Sequence, residues 1–210
     1  MLSPFNYYPI SYQLTAEDKS RLQSIHRHKA ILERQDTPMA DEVFWNKLAQ
    51  VYKTSEGKIP AFEQFIAQHT EMLKKCIIFV ETKEYGETIL EIIHRYSTDF
   101  HSFYGGDDAS VLTRFLAGDI ECLLTCHRIS EGIDIPSLQN VILVASSRAK
   151  VETIQRIGRC LRLDPQNPNK VANVVDFICS DNSGKKDLSA DEERHQFLQN
   201  LSEIRSVETE

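Results

Sequence analysis

The sequence predicts a doubly wound α/β layer, a parallel sheet flanked by helices, with an N-terminal helical arm leading into it. Five short apolar runs rich in β-branched residues recur, at 76–81 (CIIFVE), 100–104 (FHSFY), 120–125 (IECLLT), 140–145 (NVILVA) and 171–178 (VANVVDFI). Several are apolar almost throughout, the pattern of strands covered on both faces of a parallel sheet. Helix-patterned stretches at 83–96, 108–117 and 150–162 lie between them. Strand and helix alternating at this spacing wind a sheet on both sides, and such sheets receive ligands at the carboxyl ends of their strands.

Residues 1–75 follow another pattern. Thr15 and Asp18 are spaced as a capping box, opening a helix that runs to about Gln35. Helical segments follow at 41–53 and 61–74, with a break at SEGKIP, 55–60. The chain therefore divides into a helical connector arm over 1–75, an α/β domain over 76–180, and a polar loop with a closing helix over 181–210. Ser189 and Glu192 are placed to cap that last helix.

Composition narrows the function classes. The chain has 210 residues, 41% hydrophobic and 26% charged, enough for one globular domain and an appendage. Its five cysteines form no C-x-x-C pair, so neither a zinc site nor a disulfide framework is indicated and a reducing, cytoplasmic setting is expected. No apolar run reaches membrane-spanning length, and MLSPFNYYPI lacks the pattern of a secretion signal. A net charge of −7 excludes a broadly basic surface. The charge is uneven, however. Ser146 to Lys170 holds six bases against two acids, whereas Asp181 to Glu210 holds eight acids against four bases. A basic site beside an acidic tail is compatible with phosphate held in a groove.

Within that basic stretch lies QRIGRCLR, 155–162. On a helix, Gln155, Arg159 and Arg162 project from one face, while Ile154, Ile157 and Leu161 form an apolar face beside it. Two fixed planar cations side by side suit a polyphosphate. A solvated helix with surface arginines would show the same spacing. The run LLTCHRISEGIDIP, 123–136, ends a strand at Thr125 and passes through Gly132 to Asp134. Gly132 permits close backbone approach to a ligand, Asp134 can accept from ribose hydroxyls, and Thr125 and Ser130 can donate to phosphate oxygens. A tight turn in which Asp134 satisfies local amides remains the alternative. Thr82 falls at the start of a helix, either as an anion site or simply as the N-cap. Gly105 and Gly106 offer backbone amides in the FYGGDD turn, and glycine pairs are also ordinary turn residues.

The phosphate cradle G-x-x-x-x-G-K-[ST] is absent: SEGKI and SGKKD lack both the leading glycine and the closing hydroxyl residue. The acidic pair Asp41–Glu42 follows no apolar strand, which makes it a poor magnesium ligand.

The order IIFVET, YGG, F-x-x-G (Phe115, Gly118), LLT-x5-EGIDIP, an apolar strand and QRIGR-x-x-R resembles the C-terminal RecA-like domain of superfamily-2 helicases and translocases, over roughly 73–180. EGIDIP with QRIGR-x-x-R is most similar to the DNA-acting branch, the XPB-like and restriction-type translocases; Gln155 and Leu161 set it apart from the DEAD-box pattern. The resemblance implies that Arg159 and Arg162 are arginine fingers and that Gln155, Gly132 and Asp134 attend ATP. It also implies that Thr82, Gly105 and Thr125 lie along a nucleic-acid backbone, with DNA favoured over RNA. ATP and Mg²⁺ would be held jointly with an N-terminal RecA-like domain in cis or in trans. The chain is then expected to be the second motor domain of an ATP-dependent helicase, inactive alone. A non-catalytic nucleic-acid-binding or regulatory module on the same fold is the other open reading.

Overall fold

The computed structural model describes residues 3–126, 135, 137–145, 157–158, 162–165, 167–182 and 189–207, with side chains to residue 204. Strands β1 (Phe5–Tyr12), β2 (Cys76–Phe79), β3 (Phe100–Phe103), β4 (Cys122–Thr125), β5 (Asn140–Leu143) and β6 (Ala172–Cys179) form one sheet in the order β1-β6-β5-β2-β4-β3. Every neighbouring pair is parallel. Its helices include α1 (Ala16–Arg34), α2 (Asp41–Lys53), α3 (Lys58–Gln68), α4 (Lys83–Ile93), α5 (Ala109–Ala117) and α6 (Ala190–Val207). A 3₁₀ turn at Thr70–Leu73 feeds β2.

The alternation of side chains along each strand builds two cores. Cys76, Ile78, Val80, Cys122, Leu124, Ile142, Val144 and Phe177 point to one face, where Phe62 and Ile66 of α3 and Ile89, Ile92 and Ile93 of α4 cover them. Ile77, Phe79, Leu123, Val141, Leu143 and Val174 point to the other, against Val111 and Phe115 of α5 and Leu198 of α6. Direction of travel decides the face. Parallel crossovers share one hand, so a chain stepping one way across the sheet lays its helix on one side and a chain stepping back lays it on the other. β1 to β2 and β2 to β3 step one way, placing α3 and α4 together; β3 to β4 steps back, placing α5 opposite.

The FNYYPISY run, read from sequence as part of the helical arm, is instead the edge strand β1, in register with β6 from Phe5–Ala172 to Tyr12–Cys179. Its pattern misleads because an edge strand is covered unevenly and can accept Pro9, whose missing N–H costs nothing on the unpaired side. An asparagine ladder ties the amino ends. Asn6 Nδ2 donates to Asn173 Oδ1 at 3.0 Å, Asn173 Nδ2 to Asn140 Oδ1 at 2.7 Å, and Asn140 Nδ2 to the Lys74 carbonyl at 2.7 Å. A one-residue slip would break it, so it fixes the register of β1, β6 and β5.

Helix starts follow local chemistry. Thr15 and Asp18 form the expected capping box on α1, and Ser189 with Glu192 forms another on α6. α3 begins at Lys58, inside the segment expected to be a break.

Candidate functional site

Because all six strands run the same way, their carboxyl ends line one edge, and Thr82, Gly105 and Thr125 all lie along it. Thr82 is the N-cap of α4, its Oγ1 accepting from the Tyr85 N–H at 3.2 Å, which leaves its own O–H free to donate. Gly105 is exposed in the turn after β3, where Asp107 accepts from the Tyr104 N–H at 2.7 Å. The glycine that needs its freedom is the next one: Gly106 has φ 104°. Thr125 is buried, and its hydroxyl donates to the Cys126 carbonyl at 2.9 Å. That side chain holds the chain leaving β4 and is turned away from solvent.

Residues overlooked in the sequence crowd the same edge. Lys58 is buried, its Nζ donating to the Val144 carbonyl at 2.7 Å and lying 5.1 Å from the centre of the Tyr12 ring. Burial lowers this ammonium to a pKa of about 8 against the opposing pull of Asp191. The helical period held the signal, since Lys58, Phe62 and Ile66 share the buried face of α3. Lys53 pairs with Glu81 at 3.2 Å, joining α2 to the end of β2. Burial, then Glu81 and Glu84, push the Cys126 thiol up to about 11, so it is no nucleophile at neutral pH. Among the described residues, the buried Tyr104 hydroxyl has no hydrogen-bond partner.

Gln155, Gly132, Asp134 and Arg159 lie outside the described residues. Their described flanks are anchored: Ile135, Leu138 and Ile157 are buried in the core that contains Phe79 and Leu143. Ile157 is thus buried, as one residue of the apolar face expected of QRIGRCLR; Ile154 and Leu161 lie outside the described residues. Arg162 is exposed, and its carbonyl accepts from the Nζ of buried Lys170 at 3.1 Å. Among the described residues no group of three His, Cys, Asp or Glu is placed to hold a metal ion.

Residues 57–164 match the family model for the helicase conserved C-terminal domain. The chain belongs to that family. As a helicase C-terminal domain it has the RecA-like α/β fold expected of the superfamily-2 class. It is similar to the putative ATP-dependent helicase IRC3 of Saccharomyces cerevisiae, 29% identical over 75 residues, which is 36% of this chain and 11% of that protein. The aligned stretch thus spans about a tenth of that relative's length. Among solved structures, the C-terminal part of the Fun30 ATPase domain superposes with a TM-score of 0.64 at 13% identity, covering 99% of this chain and all of that one. The Sulfolobus solfataricus SWI2/SNF2 ATPase core, solved in complex with dsDNA, gives 0.59 at 16% identity over 82% of this chain and 40% of that one. At these identities the superpositions speak for the fold. No helix among the described residues of this helicase domain is long and apolar enough to cross a membrane.

Proposed function

We propose that this helicase C-terminal domain is the second half of an ATP-driven DNA helicase or translocase motor, completing an active site whose phosphate cradle lies on another RecA-like domain. The observation that carries the reading is the continuous match over 57–164, which takes in every motif from the strand before Thr82 to Arg162. The chain's own groups fit half of such a site. QRIGRCLR supplies guanidinium groups for phosphate, but the sequence lacks a P-loop and the described residues lack a carboxylate cluster for Mg²⁺.

ATP with Mg²⁺, bound between the two domains, is the phosphoryl donor. Arg159 and Arg162 reach the terminal phosphate and stabilise the charge that develops there, while Gln155 orients the segment that carries them. Gly132 and Asp134 meet the nucleotide's ribose side. Thr82 donates its free O–H, and Gly105 its backbone amide, to a nucleic-acid backbone passing the carboxyl edge. Thr125 acts one step back, keeping the β4 exit in place. The likeness of EGIDIP and QRIGR-x-x-R to the DNA-acting branch supports DNA over RNA. Among the described residues Cys76, Cys122, Cys126 and Cys179 form no disulfide, which suits a reducing compartment such as the cytoplasm.

The test is an ATPase assay of this domain joined to its P-loop domain, with DNA or RNA of one sequence. Arg159→Ala and Arg162→Ala should each lower turnover by about 10³-fold or more while nucleic-acid affinity is largely kept. The domain alone should hydrolyse nothing. Normal turnover in both variants would overturn the finger assignment, and stimulation by RNA alone would overturn the DNA preference.

A further inference from the structure

The α1–α2 hairpin holds a cationic aromatic cluster that the motor reading leaves unused. α1, about 28 Å long for its 19 residues, buries only Asp18. It packs on α2, and the hairpin is rooted at the carboxyl edge by bonds near its base. Ser55 Oγ donates to Asp18 Oδ2 at 2.7 Å, the Tyr85 hydroxyl donates to the Ser55 carbonyl at 2.7 Å, and Lys53 pairs with Glu81. Away from that base, the Phe44 ring is enclosed by the Lys29 ammonium at 4.2 Å, by His26 edge-on at 5.2 Å and by Trp45 at 5.2 Å. His26 is exposed, and Trp45 is 58% exposed.

Charge names the occupant. From Lys19 to Arg34 the helix has five Lys or Arg against one acid, in a chain of net charge −7. Lys19, Arg21 and Lys29 are paired, with Asp181, Asp18 and Asp41. Arg27 and Arg34 are exposed and have no acidic partner among the described residues; His28 beside them is exposed as well. Exposed cations and an exposed aromatic ring on one hairpin are the elements with which proteins hold single strands: the cations track phosphates and the ring stacks on a base.

We infer that the α1–α2 hairpin is a second contact for single-stranded DNA, with Arg27 and Arg34 on phosphates and Trp45 stacked on a base. The inference rests on the motor reading only in bringing DNA to the carboxyl edge, beside which the hairpin stands.

Trp45 is the sole tryptophan of the chain, so its emission reports this contact directly. The 210-residue chain would be titrated with a twenty-nucleotide oligothymidylate at several salt concentrations, with the same length of duplex DNA, RNA and polyglutamate as separate arms. The expected result is quenching by the DNA strand, with tighter binding than to duplex or RNA and none to polyglutamate. Trp45→Ala should weaken binding by about 5- to 100-fold, and Arg27→Glu with Arg34→Glu should make the salt slope shallower by about 1.4. Circular dichroism of these surface variants checks that they remain folded. Absence of quenching, equal quenching by polyglutamate, preference for duplex or RNA, or unchanged affinity in both variants would each overturn the inference. A failed hairpin with Arg159→Ala still inactive in the joined motor leaves the motor reading standing; the reverse outcome would isolate that reading as the error.

Discussion

Lys58 shows how much one side chain's surroundings matter. Its ammonium is removed from water and given one carbonyl, from Val144, and the face of Tyr12. Asp191 and Asp176 favour its charge and Arg194 opposes it, but desolvation dominates and lowers its pKa from 10.5 to about 8. Below about 8 the group is charged in both folded and unfolded chains, so the folded state bears the full burial cost. Between about 8 and 10.5 the unfolded chain holds the extra proton, and stability contributed at this site rises with pH. Burial pushes the Cys126 and Cys179 thiols and several tyrosines upward, and those groups act in the opposite sense at higher pH. Comparison with Lys58→Met isolates the lysine. The stability of wild type relative to the variant should grow by about 3 kcal/mol between pH 7 and 10.5, read from urea unfolding at each pH. Parallel pH profiles would contradict it.

At the scale of elements, the exit from β1 and the start of α3 approach too closely for any side chain. A Cβ on Gly57 would lie 1.8 Å from the Gln13 carbonyl oxygen, an unyielding backbone atom. The φ of Gly57 is an ordinary −61°, so the requirement is space and not a special backbone conformation. Gly57→Ala should cost about 2–3 kcal/mol by displacing α3 from β1, measured as a lower urea midpoint, despite alanine's better helix propensity. A neutral result would show that α3 slides without loss. Most elements are legible in the sequence, because buried strands and capped helices have local signatures. Thr15 with Asp18 and Ser189 with Glu192 do cap the helices they were expected to cap. β1 is not legible: Pro9 and four aromatic residues mask a strand whose partner, β6, lies far along the chain. Lys58 hid for a related reason, since a lysine on an apolar helical face ordinarily marks the solvent boundary.

Across the whole molecule, the C-terminal helix is fastened by a buried ion pair. Arg194 Nε donates to Asp176 Oδ2 at 2.7 Å, and its guanidinium also donates to the Phe177 carbonyl and to Asp191. Both partners are nearly inaccessible, with side chains 3% and 0% exposed. Arg194→Met should cost about 3–5 kcal/mol, because it strands the Asp176 carboxylate in the core. Adding Asp176→Leu should recover part of that loss in the same unfolding measurement, since the pair can be replaced by apolar bulk. Equal destabilisation in the single and double variants would show that packing, and not the stranded charge, is what Arg194 provides.

The sequence by itself determined the alternation of strands and helices, the order of motifs and, through them, the family. These are local properties, written in periods of two and 3.6 residues and in short spacings. The tertiary structure alone decided that β1 closes the sheet edge, that Lys58 ends on the Val144 carbonyl and that Arg194 meets Asp176. It alone brought His26 and Lys29 of α1 onto Phe44 of α2. Each of these joins residues whose separation in sequence carries no signal. Whether a charge is buried, paired or left to solvent depends on which face its element turns toward its neighbours, and only the folded chain sets that.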